Sequence, residues 1–276
     1  MLIDSPTGMV ERESKDPEYL STLERGLSVL RAFDQAHPEM ALSEVAVRTG
    51  LNPAVARRCL NTLVQLGYIA QHGRRFLLRP EVLVFGSAYL SSMNIEQVAL
   101  PHLQALRDET GDSASLAVRS DDHILYVAHV STSRQVRLGA NVGTRFPLHA
   151  TSLGKVLMAF EPAETIATFL ARAPFERRTE NTVTDPAALD ARFAAIRKQG
   201  YDSALDELDY GIVSVAVPVF DMDRVVVAAI NCSTSTTRIS QVELIRTRLP
   251  LLRQAAGAIE AALRRWPVLA HSLRHG

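Results

Sequence analysis

A polar helix face near the N-terminus carries the side-chain types that read DNA. In residues 53–66 (PAVARRCLNTLVQL), a step of 100° per residue separates a polar side from an apolar side. The arginine guanidinium group can form two hydrogen bonds with a guanine edge or a phosphate, and the amides of asparagine and glutamine can do the same with adenine. The pattern predicts a helix lying in a DNA groove, although a merely solvated face would show the same polarity. The residues predicted to contact DNA here are Ser43, Asn52, Ala54, Arg57, Arg58, Asn61, Thr62 and Gln65.

This helix is positioned by a shorter helix and a tight turn before it. We expect Ser43 to N-cap the shorter helix. Thr49-Gly50 supplies the turn, because glycine adopts a positive φ without a Cβ clash. Asn52 and Pro53 then open the polar helix as N-cap and first residue. Its core-facing stripe is predicted to be Val55, Ala56, Cys59, Leu60, Leu63 and Leu66.

A first helix and a hairpin complete this small domain. Residues 20–35 show helical apolar spacing, and residues 68–71 and 75–78 are predicted strands that meet at a turn at His72-Gly73. Arg74 and Arg75 at the hairpin tip are predicted to reach phosphate or a minor groove. Three helices and a wing make a winged helix-turn-helix, which we place at residues 19–79 behind a flexible arm at residues 1–18.

Charge and composition favour a nucleic-acid partner for this domain. The 276-residue chain has a net charge of +0, but residues 41–80 hold six arginines and one acid, a local charge of +5. Such a basic segment is typical of nucleic-acid modules. Cys59 and Cys232 are expected to be buried thiols in a reducing cytosol. No apolar run is long enough to span a membrane, so we expect a cytoplasmic protein with no membrane partner.

A second candidate site lies at residues 149–155 (HATSLGK), where a helix N-terminus follows a strand-like run. Thr151 can cap this helix, whose free N–H groups and dipole attract an anion. We predict that the backbone N–H groups near Ser152 and Leu153, with the Ser152 hydroxyl, hold a carboxylate. The alternative is that Ser152 is only a helix cap.

Two other chemistries have weaker support. Residues 152–155 fit the Ser-x-x-Lys spacing of serine acyl-enzymes, but no K-T-G or S-D-N element accompanies them. A metal site is conceivable at Asp206, Glu207 and Asp209, although solvation or ion pairing explains this cluster better. No metal-ligand spacing relates His123, His129 and His149, and His129 fits a buried, hydrogen-bonded histidine. No cofactor is implied.

The rest of the chain is predicted to form a second, mixed α/β domain. Residues 80–94 form an apolar linker helix whose face is expected to be covered by another chain. Residues 95–264 combine helices at 95–111, 152–160, 162–171, 186–200 and 241–263 with strands near 115–118, 124–130, 201–205, 212–220 and 225–232. Residues 134–148 are irregular or strand-like, and the tail at residues 265–276 is expected to be frayed.

Several motifs, in this order, resemble the IclR family of transcription regulators from Leu20 to Leu263. They are LERGLSVLRAF, SEVAVRTGLNPAVARRCLNTLVQLGYI, HATSLGKVLMA, GYDSALDELDYGIVSVAVPVFD and AAINCS. Within the family, the chain resembles the PobR/PcaR/PcaU branch at Arg134, Arg137, GTRFPLHATSLGK and LPLLRQAAGAIEAAL. That branch regulates aromatic-acid catabolism through the β-ketoadipate route.

The resemblance implies an α+β protein: an N-terminal winged helix-turn-helix, a linker helix, and a C-terminal effector-binding domain with a GAF-like sheet and helices. It implies a homodimer or dimer of dimers on pseudo-palindromic double-stranded operator DNA. The effector would be a small carboxylate such as 4-hydroxybenzoate, protocatechuate or β-ketoadipate. Its implied contacts are His149, Ser152, Leu153, Ala204, Ser214, Asn231 and Ser233. Arg134 and Arg137 are predicted to add a charge-assisted bond to a second carboxylate or phenolate, and the alternative is that they form surface ion pairs.

Two alternatives belong to other functional classes. One is an α/β enzyme with an accessory winged helix, and the other is a structural DNA-binding protein whose second domain binds nothing.

Overall fold

The computed structural model describes residues 17–34, 36–132 and 140–274. The chain divides into two compact units after Ala88, within the predicted linker helix. Most of the predicted N-terminal arm, residues 1–16, lies outside the described residues, as do Arg134 and Arg137. Within these limits, no helix is both long and apolar enough to cross a membrane.

The first unit is a winged helix-turn-helix, as predicted. Its elements are α1 (Ser21–Arg31), β1 (Glu39–Ala41), α2 (Leu42–Thr49), α3 (Pro53–Gln65), β2 (Ile69–His72) and β3 (Arg75–Leu78). The strands form an antiparallel sheet in the order β1-β3-β2. Helices and sheet share one apolar core, in which Val29, Met40, Val45 and Leu60 are fully buried. Gly50 ends α2 in the left-handed conformation (φ 69°), as its turn position requires.

Three local predictions for this unit were wrong, and one strand was missed. Ser43 does not cap α2, because the helix begins at Leu42, two residues earlier than predicted. The Glu44 carboxylate instead accepts a hydrogen bond from the Ala41 N–H at 2.6 Å. The hairpin turn is Gly73-Arg74 rather than His72-Gly73. Leu66 is 62% exposed, because α3 ends before it. The strand β1 was not anticipated, since three residues are too few to show an alternating pattern.

A linking region follows, with a 3₁₀ turn (Pro80–Val82) and α4 (Leu83–Ser92). The second unit then contains α5 (Ile95–Val98), α6 (Leu100–Thr110), β4 (Ser113–Ser120), β5 (His123–Val130) and β6 (Arg145–Pro147). It continues through α7 (Ser152–Ala159), α8 (Ala163–Leu170), α9 (Pro186–Gln199), β7 (Asp202–Leu205), β8 (Ile212–Phe220), β9 (Val226–Ser235), α10 (Gln241–Leu263) and α11 (Pro267–Leu273).

The strands of the second unit form one antiparallel six-stranded sheet in the order β6-β5-β4-β9-β8-β7. Each face is covered by helices. Residues of α5, α6, α10 and α11 pack with the odd-numbered valines of β8, and residues of α7, α8 and α9 pack with Ala216 and Ala229 on the other face. This double burial explains why β9 reads as a nearly continuous apolar strand, as predicted.

Two predictions for this unit were also wrong. The single helix at 95–111 is broken at Ala99, because Pro101 lacks the N–H that a continuous helix would bond to the Gln97 carbonyl. The C-terminal tail is not frayed through its described part: residues 267–273 form α11, and Leu269 and Leu273 are buried in the core. This helix is held in place by contacts with residues that are distant in the sequence.

A buried ionic cluster ties α7 to the edge of the sheet. Lys155 is fully buried, and its Nζ lies 2.6 Å from both carboxylate oxygens of Glu207 and 3.2 Å from Oδ2 of Asp202. The other oxygen of Asp202 accepts from Nε of Arg192 on α9 at 2.6 Å. Burial raises the pKa of Glu207 despite its cationic partner. The cluster therefore joins α7, α9, β7 and the loop after β7.

Gly154 allows the closest backbone approach in this region. A Cβ built on Gly154 would lie 2.2 Å from the Leu148 carbonyl oxygen and 2.5 Å from the Leu148 Cα. Real Cβ atoms do not come so close to backbone, so the start of α7 lies against residue 148 only because residue 154 has no side chain.

We expect Gly154→Ala to destabilise the second unit by about 3 kcal/mol or more, because backbone must move to admit the methyl group. Gly257→Ala is the matched control, since its Cβ would meet nothing within 4 Å and alanine favours helix by about 1 kcal/mol. Urea unfolding of both variants measures the difference. Equal stability of the two variants would contradict the close approach.

We expect Lys155→Met to lower the free energy of unfolding by about 3–5 kcal/mol, because it leaves buried carboxylates without their cation. Adding Glu207→Leu should recover part of that loss, since one orphaned charge is then removed. Chemical denaturation of the two single variants and the double variant tests the coupling. Strictly additive losses would show that the two side chains do not interact.

Candidate functional site

The polar face of α3 is exposed along its whole length. The buried side chains of α3 are Ala56, Cys59, Leu60 and Leu63. The side chains predicted to contact DNA lie on the other side, and all are exposed: Ser43 on α2, Asn52 before α3, and Ala54, Arg57, Arg58, Asn61, Thr62 and Gln65 on α3. No carboxylate pairs with Arg57 or Arg58 among the described residues, so both guanidinium groups can approach an anionic partner.

Two of these side chains form local hydrogen bonds, which limit the groups that they can present to DNA. The Oδ1 atom of Asn52 accepts from the Ala54 N–H at 2.9 Å, so Asn52 is the N-cap and its amide N–H groups remain for phosphate. The Thr62 hydroxyl donates to the Arg58 carbonyl at 3.0 Å. Thr62 must break that bond before it can donate to phosphate.

The two wing arginines differ in what they contact. Arg74 lies in the exposed turn between β2 and β3. Arg75 instead lies in β3, with Nε 3.0 Å from Oε1 of Glu39 and Nη2 3.4 Å from Oε2 of Glu44. Its charge is paired with one carboxylate of the sheet, Glu39, and one of α2, Glu44. Arg74 is therefore the wing residue better placed to contact DNA.

The second site is a narrow cavity of about 50 Å³ where the N-terminus of α7 meets the sheet. Six of the predicted effector-binding residues line it: Ser152, Leu153, Ala204, Ser214, Asn231 and Ser233. Five of them are buried, and Ser233 is partly so. Strand register explains why these residues meet. Ser214 of β8 pairs with Ser233 of β9, and Asn231 lies two residues before Ser233 in β9, on the same face of the sheet.

The α7 N-terminus presents donors to this cavity. Thr151 is the N-cap, accepting from the Gly154 N–H at 3.0 Å, so the alternative that Ser152 is merely the cap was wrong. The Ser152 hydroxyl instead shares a hydrogen bond with the Ser214 hydroxyl at 2.8 Å. Among the described residues, the N–H groups of Ser152 and Leu153 have no acceptor. These amides and the positive end of the helix dipole suit a carboxylate.

A buried amide in the cavity wall lacks a hydrogen-bond partner. Asn231 is 4% exposed, and its Oδ1 atom has no hydrogen-bond donor among the described residues. An unsatisfied buried amide of this kind costs about 1–3 kcal/mol, which a polar ligand would relieve. Asn231 Oδ1 therefore marks a place where a ligand hydroxyl would donate a hydrogen bond.

The structure adds cavity residues that sequence reasoning missed. They are chiefly Ser115, Tyr126, His129 and Glu207. The His129 ring bonds the Ser115 hydroxyl at 2.9 Å and the Ser131 hydroxyl at 3.0 Å. Burial lowers the pKa of His129 and raises the pKa of Tyr126 to about 12, so both stay neutral near pH 7. The alternating serines of β4 were the available signal, because Ser115 pairs with Asn231 across the ladder.

Other predicted residues have different positions. The His149 ring is buried beside Phe175 and bonds the Glu176 carbonyl through Nε2 at 2.9 Å, and it does not line the cavity. Its structural role is to hold the chain before α7. Arg134 and Arg137 lie outside the described residues.

Neither enzymatic nor metal chemistry fits this geometry. The Lys155 ammonium is held by Glu207 and Asp202, and the Ser152 hydroxyl bonds Ser214, so lysine does not activate the serine. The acidic loop has a pairing role, as expected, since Glu207 binds Lys155 and Asp206 caps the turn to Gly211. Within the described ranges, no group of three His, Cys, Asp or Glu side chains could hold a metal ion.

Comparisons with known proteins agree with both halves of the fold. Residues 22–73 match the IclR helix-turn-helix domain, and residues 87–261 match the C-terminal domain of bacterial IclR transcriptional regulators. The Pca regulon regulatory protein of Pseudomonas putida is 36% identical over 92% of this chain and 88% of its own length. The p-hydroxybenzoate hydroxylase transcriptional activator of Acinetobacter baylyi is 33% identical over 90% and 93%.

Solved structures give the same result. An IclR homologue from Microbacterium hydrocarbonoxydans, complexed with 4-hydroxybenzoate, is 27% identical, with a TM-score of 0.71 over 88% of this chain and 99% of that one. An IclR-family regulator from Brucella abortus is 27% identical, with a TM-score of 0.78 over 90% and 94%. The chain belongs to the IclR family of DNA-binding transcriptional regulators, resembles its Pca and PobR-type members, and is not an enzyme.

Proposed function

We propose that this regulator senses a small hydroxylated aromatic acid in the cavity beside α7 and controls genes for aromatic-acid catabolism. The observation that carries the proposal is the pairing of free helix-terminal amides at Ser152 and Leu153 with the unsatisfied Asn231 amide across one buried cavity. Relatives point the same way, since one is a p-hydroxybenzoate hydroxylase activator and another binds 4-hydroxybenzoate. 4-Hydroxybenzoate and protocatechuate fit this description better than the acyclic β-ketoadipate.

The sheet sets the spacing of the two polar ends. Ser152 bonds Ser214 on β8, and the His129-Ser115 pair lies on β5 and β4 with Asn231 between. Strands lie about 4.8 Å apart, so β8 and β4 are separated by about 10 Å. A benzoate bound by its carboxylate at α7 would direct a hydroxyl on the far side of its ring toward Asn231 and Ser115.

The charge balance of the cavity allows a carboxylate effector. Glu207 lines the cavity, and an unpaired Glu207 would repel a second carboxylate. Its two oxygens are each 2.6 Å from the Lys155 ammonium, which neutralises it. The helix dipole then decides the preference of the site for an anion.

The output is proposed to be binding of a homodimer, or a dimer of dimers, to pseudo-palindromic operator DNA in the cytoplasm. The exposed apolar side chains of Leu83, Val84 and Phe85 on α4 support self-association. Two recognition helices related by a twofold axis would read matching half-sites. Effector binding would shift the population of dimer geometries, as either an activator or a repressor, and so the spacing of those helices.

Removing both recognition arginines should weaken specific DNA binding. We expect Arg57→Ala with Arg58→Ala to cost about 1–3 kcal/mol for each base-reading contact and to reduce the salt dependence. Arg31→Ala, an exposed arginine of α1, is the control for charge loss alone. Fluorescence anisotropy against DNA upstream of the protein's own gene, at two salt concentrations, measures both effects. A double variant that binds as tightly as Arg31→Ala would exclude this face as the DNA contact.

The two ends of the cavity should be separable with ligand pairs. We expect calorimetry to show tighter binding of 4-hydroxybenzoate than of benzoate, by about 1 kcal/mol for one neutral hydrogen bond. Asn231→Leu should abolish that preference while leaving benzoate binding nearly unchanged. Ser152→Ala should weaken both ligands equally.

Three results would count against the proposal. If Asn231→Leu still prefers 4-hydroxybenzoate to benzoate, the ligand hydroxyl does not bind at Asn231. If Ser152→Ala weakens the binding of only one of the two ligands, the carboxylate does not bind at Ser152. No binding of any aromatic or dicarboxylic acid would favour a purely structural second unit.

A further inference from the structure

A second, basic groove lies in the C-terminal unit, away from the cavity at Ser152. Its volume is about 420 Å³, within the range of small-molecule sites. It lies where the ends of α7 and α9 meet the last residues of β8 and the middle of α10. Four cationic side chains line it: Arg197, Lys198, Arg224 and Arg253.

The groove exists because the edge strand stops early. β7 pairs with β8 only as far as Asp202 opposite Ala216, so no strand of the described residues neighbours the outer edge of β8 beyond Ala216. Two glycines, Gly200 and Gly257, line the groove and add no side chain to it. A Cβ at either position would meet nothing within 4 Å. The space is thus open at the backbone level and does not depend on one rotamer.

The charge of this groove is unbalanced. Elsewhere in the unit arginines pair with buried acids, as Arg238 and Arg248 do with Asp112 and Arg274 does with Asp221. None of the four groove cations pairs with a carboxylate among the described residues. The one acid in the lining, Glu260, accepts from the Phe220 N–H at 3.0 Å instead.

Two of the cations also donate a hydrogen bond to a helix end, which occupies only part of each guanidinium group. Arg197 donates to the Ala159 carbonyl at the end of α7, and Arg253 donates to the Gln199 carbonyl at the end of α9. Each helix end contributes a partial charge of about −0.5. Together they offset about one of the four positive charges, and Glu260 offsets another. The groove keeps a net positive charge, and each guanidinium keeps unused N–H groups.

An aromatic ring holds a third cation in place. The Arg224 guanidinium lies over the Phe220 ring, 4.3 Å from its centroid. Phe220 in turn packs edge-on against Phe160, with 5.6 Å between ring centroids. Stacking leaves the guanidinium edge free to form a bidentate contact with an oxyanion.

We propose that this groove binds a compact anion with several negative charges, carrying a phosphate group or multiple carboxylates. The site is separate from the effector cavity and would give the regulator a second metabolic input. Its ligand is distinguished from the aromatic effector by charge: the groove offers several cations, whereas the cavity at Ser152 offers neutral donors and a neutralised acid.

Calorimetry on the full-length protein, with inorganic phosphate and with citrate as probes at about 0.15 M ionic strength, tests the proposal. We expect saturable binding of at least one probe. Lys198→Gln with Arg224→Gln should weaken it at least about tenfold, because each loses charged hydrogen bonds. Neither side chain makes a hydrogen bond among the described residues, so this variant should fold normally. Arg253→Gln is the second variant.

The matched control removes two charges from the same unit but outside the groove. Arg264→Gln with Arg265→Gln, at the exposed end of α10, should leave probe affinity within about twofold of the parent protein. Ser152→Ala should also leave it unchanged. The proposal is overturned by absent saturable binding, by equal weakening in the control, or by weakening in Ser152→Ala, which would place the anion in the effector cavity.

Discussion

The buried ammonium of Lys155 is the interaction on which the sensing unit depends. It lies between Glu207 and Asp202, so it joins the first turn of α7 to β7 and to the loop that follows β7. Burying these charges is costly, and the cost is offset only while every partner is present. The arrangement keeps the N-terminus of α7 against the sheet, with the Ser152 hydroxyl bonded to Ser214. The cavity beside α7 is therefore built by an ion pair.

The same ion pair decides the chemistry of the cavity. Glu207 reaches the cavity wall, where a free carboxylate would exclude an acidic effector. Because Lys155 neutralises Glu207, the amides of α7 and the neutral side chains of Tyr126 and His129 are the groups available for the proposed recognition of an acid. The Ser-x-x-Lys spacing thus serves structure, because the lysine faces acids and not the serine. A motif of four residues acquires its meaning from the groups that its side chains contact.

The DNA-binding unit follows a different logic, in which exposure matters more than burial. Its core fixes α3 through Ala56, Leu60 and Leu63, which leaves the arginine face of the helix to solvent. Arg75 pairs with Glu39 of the small sheet and with Glu44 of α2, so Arg74 is the wing-tip arginine without a carboxylate partner among the described residues. The covalent connection between output and sensor is α4, and the boundary between the two units falls within it.

Local sequence determined much of this protein. Periodic apolar spacing and caps placed α10 at its observed limits, Gln241–Leu263, and identified the exposed face of α3 and the Thr151 cap of α7. Family motifs identified six residues that line one cavity. These features are encoded by neighbours within a few residues, which is the range over which helical period, turn conformation and capping act.

Only the tertiary structure decided the rest. The strand β1 exists because Met40 pairs with Phe76, and α11 exists because Leu269 and Leu273 reach the core. His129 and Glu207 line the cavity and His149 does not. Each of these positions is fixed by a hydrogen-bond partner between 14 and 52 residues away in the sequence. The groove beside α10 likewise depends on where β7 stops. Burial, ion pairing and strand register join residues far apart in the chain, and no local pattern records which of them will meet.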